Sequence, residues 1–127
     1  MKRGLQIALG ILSLIPLFFA VIGIAMGAGY FIPEGAPAPL DNQLRYLSAV
    51  YLIVTLMIWW VIPNVERHAV PVRIVASVIC LGGFARLLSH LTVGPGEPTQ
   101  FAGMIIEIAA IGFIPWQAAV AKAHETV

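Results

Sequence analysis

The chain has 127 residues, of which 60% are hydrophobic and only 10% are charged, so it has too few polar side chains to cover a water-soluble domain. A net charge of +1, with the positive residues scattered, excludes a nucleic-acid-binding surface. The length fits about four transmembrane helices of roughly 20 residues each. We therefore predict an integral protein of the lipid bilayer.

The first predicted span covers residues 4–31, a run without a single charged side chain. Gly23 and Gly27 lie one helical turn apart and allow another helix to approach closely. Two basic residues precede the run, so a cleaved secretory signal is an alternative interpretation. The apolar run is longer than the core of an ordinary signal, and we expect a retained span.

The second predicted span covers residues 43–62, and Asp41 or Asn42 would cap its first turn. Three prolines in the preceding segment predict an extended connection that continues neither helix. The span ends at Trp59 and Trp60, and paired tryptophans in this position are typical of the membrane–water interface.

The third and fourth predicted spans cover residues 73–93 and 100–120. A turn rich in glycine and proline joins them, Thr99 would cap the fourth span, and Trp116 marks its far interface. Because the turn is short, the two helices should be antiparallel neighbours. The predicted fold is one all-α transmembrane domain over residues 1–127, an antiparallel four-helix bundle.

The charged residues outside the spans or at their ends predict the orientation of the bundle. Five basic residues fall on one side, which should be cytoplasmic, and three acidic residues fall on the other. The basic set is Lys2, Arg3, Arg67, Arg73 and Lys122, and the acidic set is Glu34, Asp41 and Glu97. Both termini are therefore predicted to be cytoplasmic.

Two charged residues, Arg86 and Glu107, lie deep inside predicted spans, where charges are rare and usually face a partner, a cavity or a ligand, whereas the other charges lie at span ends or outside the spans. Each is seven residues from the turn between the third and fourth spans, so both lie roughly 10 Å below the outer interface. We predict an ion pair between adjacent helices. Small residues should let the two backbones approach: Gly82, Gly83, Gly103 and Ala110.

Three further polar residues extend this candidate site. Ser89 and His90 follow Arg86 at helical offsets of three and four and should project from the same face. Arg45 would pair with Asp41 four residues earlier, or reach the mouth of the site if the first connection folds over it. The sequence shows no metal-ligand spacing, and we predict no metal and no cofactor.

Several of these residues also carry a family resemblance. The run from Gly82 to Ser89, together with Arg45, Gly94 and Glu107, resembles the bacterial family called domain of unknown function 4345. Asn42 and Tyr46 belong to the same pattern. The resemblance implies a small four-span protein of the bacterial inner membrane, and it implies that Arg45, Arg86, Ser89 and Glu107 form one set. It implies no definite activity, and the turn after Gly94 is longer here than in the family.

Three functions fit these observations. The first is a non-enzymatic membrane component or accessory subunit that packs against itself or a larger membrane complex, with small residues of the first span as the interface. The second is a binder or carrier of a lipid or small amphiphile, with Arg86, Ser89, His90 and Glu107 as polar contacts and the anion of a lipid headgroup on Arg86. The third is a membrane enzyme in which Glu107 acts as acid or base on an apolar substrate. No catalytic motif is present, and the lone Cys80 is expected to serve packing.

Overall fold

The computed structural model describes residues Met1–Glu125, and these are all-α, without a strand. The α-helices are α1 (Lys2–Met26), α2 (Ala38–Val61), α3 (Ala69–Thr92), α4 (Pro98–Ala109) and α5 (Phe113–Glu125). Short 3-10 helices follow α1, α2 and α4 at Gly27–Tyr30, Ile62–Arg67 and Ala110–Gly112.

Within the described residues, four helical stretches are long and apolar enough to cross a membrane. They are Lys2–Tyr30, Ala38–Arg67, Ala69–Thr92 and Pro98–Glu125. The predicted all-α class and the predicted number of membrane-compatible helices are thus confirmed.

The exposed faces of these helices are as apolar as the buried ones. On α1, Leu5 and Leu9 are buried, whereas Ile7, Ile11 and Leu14 on the other side are about 60% exposed. A helix that is hydrophobic all round needs an apolar environment on its outer face as well. This arrangement is what a bilayer requires, because lipid tails cover the outward side chains.

The chain forms two compact units. The α1/α2 unit comprises Gln6–Pro63, and the α3–α5 unit comprises Met1–Leu5 and the described residues from Asn64 onward.

The α1/α2 unit is held by a close approach of its two helices. A Cβ atom added at Gly23 would overlap the Ser48 side chain, lying 2.6 Å from its Cβ. The Trp59 indole Nε1 donates a hydrogen bond to Ser13 Oγ at 3.0 Å, and Gln6 Nε2 donates to the Ile62 carbonyl at 2.8 Å. Gly23 therefore serves packing within the α1/α2 unit.

A left-handed glycine ends the first helix earlier than predicted. Gly27 has φ of 65°, a backbone conformation that suits glycine, and α1 stops at Met26 although the apolar run continues to Phe31. The chain then folds back, so that the Phe31 ring stacks on Phe19 with centroids 6.0 Å apart. The Tyr30 ring meets Phe18 edge-on at 6.3 Å.

Polar residues at the start of α2 hold this turn in place through hydrogen bonds. Asp41 accepts a hydrogen bond from the Ala28 amide at 2.8 Å. Arg45 donates to Asp41 at 2.8 Å and to the Ile24 carbonyl at 2.7 Å, which satisfies an orphan carbonyl at the end of α1. The predicted pairing of Arg45 with Asp41 is confirmed.

The helix starts differ from the predicted ones because prolines occupy first turns. Helix α2 begins at Ala38, with Pro39 inside its first turn, so Asp41 and Asn42 lie within the helix and do not cap it. Helix α4 begins at Pro98, with Glu97 as its N-cap, and the predicted cap at Thr99 is wrong. A proline has no amide to donate, and the first turn of a helix requires none.

In the α3–α5 unit, Gly83 brings α3 and α4 together. A Cβ atom added there would lie 2.9 Å from the Ile108 backbone nitrogen and 3.0 Å from the Glu107 Cβ. Gly82 and Gly103 have no such neighbour within 4 Å, so their predicted role in the approach is wrong. Only one glycine of the set therefore makes the close contact on which the pairing of α3 and α4 depends.

The fourth span is broken, although the sequence predicts a continuous helix over residues 100–120. A 3-10 turn at Ala110–Gly112 separates α4 from α5. Pro115 in the first turn of α5 has no amide to donate to the carbonyl four residues earlier, which accounts for a break at this position. Gln117 on α5 is buried and donates to the Val65 carbonyl at 3.0 Å.

Replacing Gly27 with alanine tests the left-handed turn. We expect Gly27→Ala to lower the free energy of unfolding by about 1–3 kcal/mol, because a side chain at positive φ is strained and would also overlap Asp41. Gly29→Ala is the matched control, since nothing lies within 4 Å of that position. Thermal unfolding in detergent measures both variants, and equal stabilities would contradict the role of the turn.

A second pair of variants tests the contact between α3 and α4. We expect Gly83→Ala to destabilise the protein by about 1–3 kcal/mol through overpacking against the Ile108 backbone. Gly82→Ala, at the adjacent open position, should leave stability unchanged or slightly raised. If denaturant unfolding gave the same loss for both, the close approach at Gly83 would be wrong.

Candidate functional site

The candidate site is built on one ion pair between α3 and α4. Arg86 Nε lies 2.9 Å from Glu107 Oε2 and 3.3 Å from Oε1. Because Gly83 lets the helices approach one turn below Arg86, the two side chains meet directly. The predicted pair is confirmed, and its depth below the outer interface stays a prediction.

The two partners differ in how far they are covered. The Glu107 side chain is 9% exposed, whereas that of Arg86 is 38% exposed. Only Nε of Arg86 is engaged, and its two Nη atoms have no hydrogen-bond partner among the described residues. A guanidinium has five N–H donors in a planar fork, so four of them remain available at this site.

An open cavity of about 330 Å³ lies beside the exposed side of Arg86. It is formed by the last turns of α3, the following turn and the start of α4. The lining residues are Arg86, Ser89, His90, Val93, Gly94, Pro95, Gly96, Gln100, Phe101 and Met104. The structure therefore brings the predicted residues Arg86, Ser89 and His90 to one cavity. Glu107 is not among the lining residues and is joined to them by its ion pair with Arg86.

The wall contributed by α4 was missed in the sequence. Gln100 and Met104 precede Glu107 by seven and three residues, which places them on the same helical face. Their helical spacing from Glu107 is the sequence signal from which Gln100 and Met104 could have been predicted. Phe101 packs against the His90 ring with centroids 5.8 Å apart, and Gln100 Oε1 accepts the Glu97 amide at 3.0 Å.

The fifth predicted site residue, Arg45, has its contacts within the α1/α2 unit. They are Asp41 and the carbonyls of Ile24 and Ala25. Its role in one set with Arg86 and Glu107 stays a prediction. The interfacial role of Trp59, Trp60 and Trp116 also stays a prediction; Trp116 stacks on Phe113 with centroids 5.9 Å apart.

A second charged cluster was not predicted. Lys2 Nζ lies 3.0 Å from Glu66 Oε2, and His124 Nε2 lies 3.9 Å from Glu66 Oε1. The Glu66 side chain is only 5% exposed although it lies in a short connection. This cluster ties the first residues of the chain to the α2–α3 connection and to α5, which is a structural task.

The chemistry open to these residues is narrow. No group of three or more metal-ligating side chains stands together in the described part of the chain. Cys80 is buried. The Arg86 cavity instead presents hydrogen-bond donors next to the apolar side chains Val93, Phe101 and Met104. Such a combination suits binding of a molecule with a polar head and an apolar body.

No curated protein and no solved structure shows detectable similarity to this chain. A family model does match, over residues 4–117, and this range contains Arg45, Arg86, Ser89, His90 and Glu107. The resemblance seen in the sequence is thereby confirmed over nearly the whole chain. The chain belongs to the family described as Domain of unknown function (DUF4345).

Proposed function

We propose that this protein is a non-enzymatic membrane component that binds the polar head of a lipid or small amphiphile in the Arg86 cavity. The observation that carries the proposal is how the guanidinium is bound: Nε is held by Glu107, the two Nη atoms have no acceptor among the described residues, and Arg86 lines the cavity. A polar group left unpaired in an apolar setting is costly. A ligand or water oxygen in the cavity removes that cost.

A purely structural ion pair accounts for less of the geometry. Arginine–carboxylate pairs are frequently bidentate, whereas here a single nitrogen of Arg86 is engaged. Here the carboxylate fixes Nε, and Arg86 lines the cavity together with Ser89 and Gln100. Glu107 acts in this proposal as the residue that orients Arg86.

The first hypothesis, an interface of small residues on α1, has lost its support. The space beside Gly23 is occupied by Ser48, and the space beside Gly27 is occupied by Asp41 and Arg45 of the same chain. Assembly with another copy or a larger complex stays a prediction without a surface assigned to it. Acid or base catalysis by Glu107 stays a prediction.

The proposed setting is the bacterial inner membrane, with four antiparallel spans and both termini cytoplasmic. Contacts between α3 and α4 support the antiparallel arrangement, because His90 meets Phe101, Arg86 meets Glu107, and Gly83 meets Ile108. Positions thus rise along one helix as they fall along the other. The distribution of lysine and arginine supports the orientation.

Substitution of Arg86 tests the binding site. We use two probes with the same chain, monooleoylglycerol and oleate, and measure their retention on the detergent-purified protein by native mass spectrometry. We expect Arg86→Gln to lower retention of whichever probe the wild type binds by about tenfold or more, because hydrogen bonds from a charged donor are worth about 1.5–3 kcal/mol.

Two further variants test whether a loss of binding is specific to the cavity. Ser89→Phe should block the cavity while leaving the ion pair intact, so it should lose the probe and keep its stability. Arg73→Gln, an exposed arginine on the same helix outside the cavity, should bind as the wild type does. Retention of both probes by Arg86→Gln and by Ser89→Phe at wild-type level would refute the proposed function.

Cysteine labelling tests the orientation. In a Cys80→Ala background, a membrane-impermeant maleimide added to intact spheroplasts should label Glu34→Cys. It should label Lys122→Cys only after permeabilisation, because that position is predicted to be cytoplasmic. The opposite pattern would reverse the proposed topology.

A further inference from the structure

We propose that the Arg86 cavity selects an amphiphile with an uncharged, oxygen-bearing head, such as an ester, carbonyl or hydroxyl group, over one with an anionic head. This inference rests on the proposed function and names the class of ligand for the same site.

The charge of Arg86 is already balanced. Its Nε lies 2.9 Å from a Glu107 oxygen, and the Glu107 side chain is 9% exposed, so the two charges are close and the carboxylate is largely removed from solvent. Two opposite charges at this distance form a neutral unit. An anion arriving at the Nη atoms would leave two negative charges around one positive charge, inside a span where unpaired charge is costly.

The other residues that line the cavity carry no permanent positive charge. None of the other lining residues is a lysine or arginine, and Glu97 follows the lining residue Gly96 in the chain and is exposed. The charged residue that adjoins the lining residues in sequence is therefore negative. It disfavours a carboxylate or phosphate at the mouth of the cavity.

The donors nevertheless remain in place. The Nη groups of Arg86, the Ser89 hydroxyl and the Gln100 amide nitrogen all have hydrogens to donate, and none has an acceptor among the described residues. A neutral oxygen accepts such hydrogen bonds without bringing a charge. The apolar walls at Val93, Phe101 and Met104 accommodate the start of a hydrocarbon chain.

Glu107 then determines specificity as well as orientation. Replacing its carboxylate with an amide exposes the full charge of Arg86 to the cavity. An anionic head then becomes the better partner, because it supplies the missing counter-charge. The preference for head-group charge should reverse while the shape of the cavity is kept.

The test compares the same two probes, which share a C18 chain and differ in head charge. Monooleoylglycerol and oleate compete for the wild-type protein and for Glu107→Gln, with bound ratios read by native mass spectrometry. We expect the wild type to favour monooleoylglycerol by about tenfold or more and Glu107→Gln to favour oleate. Arg73→Gln, an exposed arginine on the same helix outside the cavity, should keep the wild-type preference.

The outcomes separate the two proposals. If the wild type retains oleate as well as or better than monooleoylglycerol, and retention depends on Arg86, the inference is wrong and the binding function stands. If neither probe depends on Arg86, the binding function itself fails. Should Glu107→Gln fail to fold, the wild-type ratio alone decides, and the double variant Arg86→Gln/Glu107→Gln should lose the preference for either head.

Discussion

The contact between Arg86 and Glu107 is the interaction on which the organisation of the α3–α5 unit depends. A single charge of either sign within a membrane helix is costly. The opposite charge of the partner lowers this free-energy cost for both residues. Their meeting requires the backbones of α3 and α4 to be close, which Gly83 permits by having no side chain against Ile108. The break at Ala110–Gly112 follows directly after this contact, so the half of the span that carries Glu107 is a separate helix from the half that carries Gln117.

The pair also explains how an apolar chain holds a polar cavity. Glu107 binds the guanidinium at its inner nitrogen and leaves the outer ones free, so Arg86 is neutralised and still able to donate hydrogen bonds. In the α1/α2 unit, Arg45 illustrates the opposite case. Asp41 holds its Nε, and the carbonyls of Ile24 and Ala25 accept from Nη1, so that arginine is committed to closing the end of α1.

Much of this was predictable because lipid limits the possible structures. Span number, the pairing of Arg86 with Glu107, and the pairing of Arg45 with Asp41 follow from apolar run length and helical spacing. The end of α1 was not predictable in the same way. Gly27 lies in an unbroken apolar run that resembles helix, and only its contacts with Asp41 and Arg45 reveal the reversal. The cavity wall at Phe101 and the buried Glu66 likewise depend on tertiary contacts between segments far apart in sequence.

The most direct test of the central claim is an experimental density map of the protein in lipid nanodiscs at a resolution that shows side chains. We predict non-protein density in the cavity within about 3 Å of the Arg86 Nη atoms, with Nε still on Glu107. A map in which both Nη atoms bind protein acceptors and the cavity is closed would contradict the account.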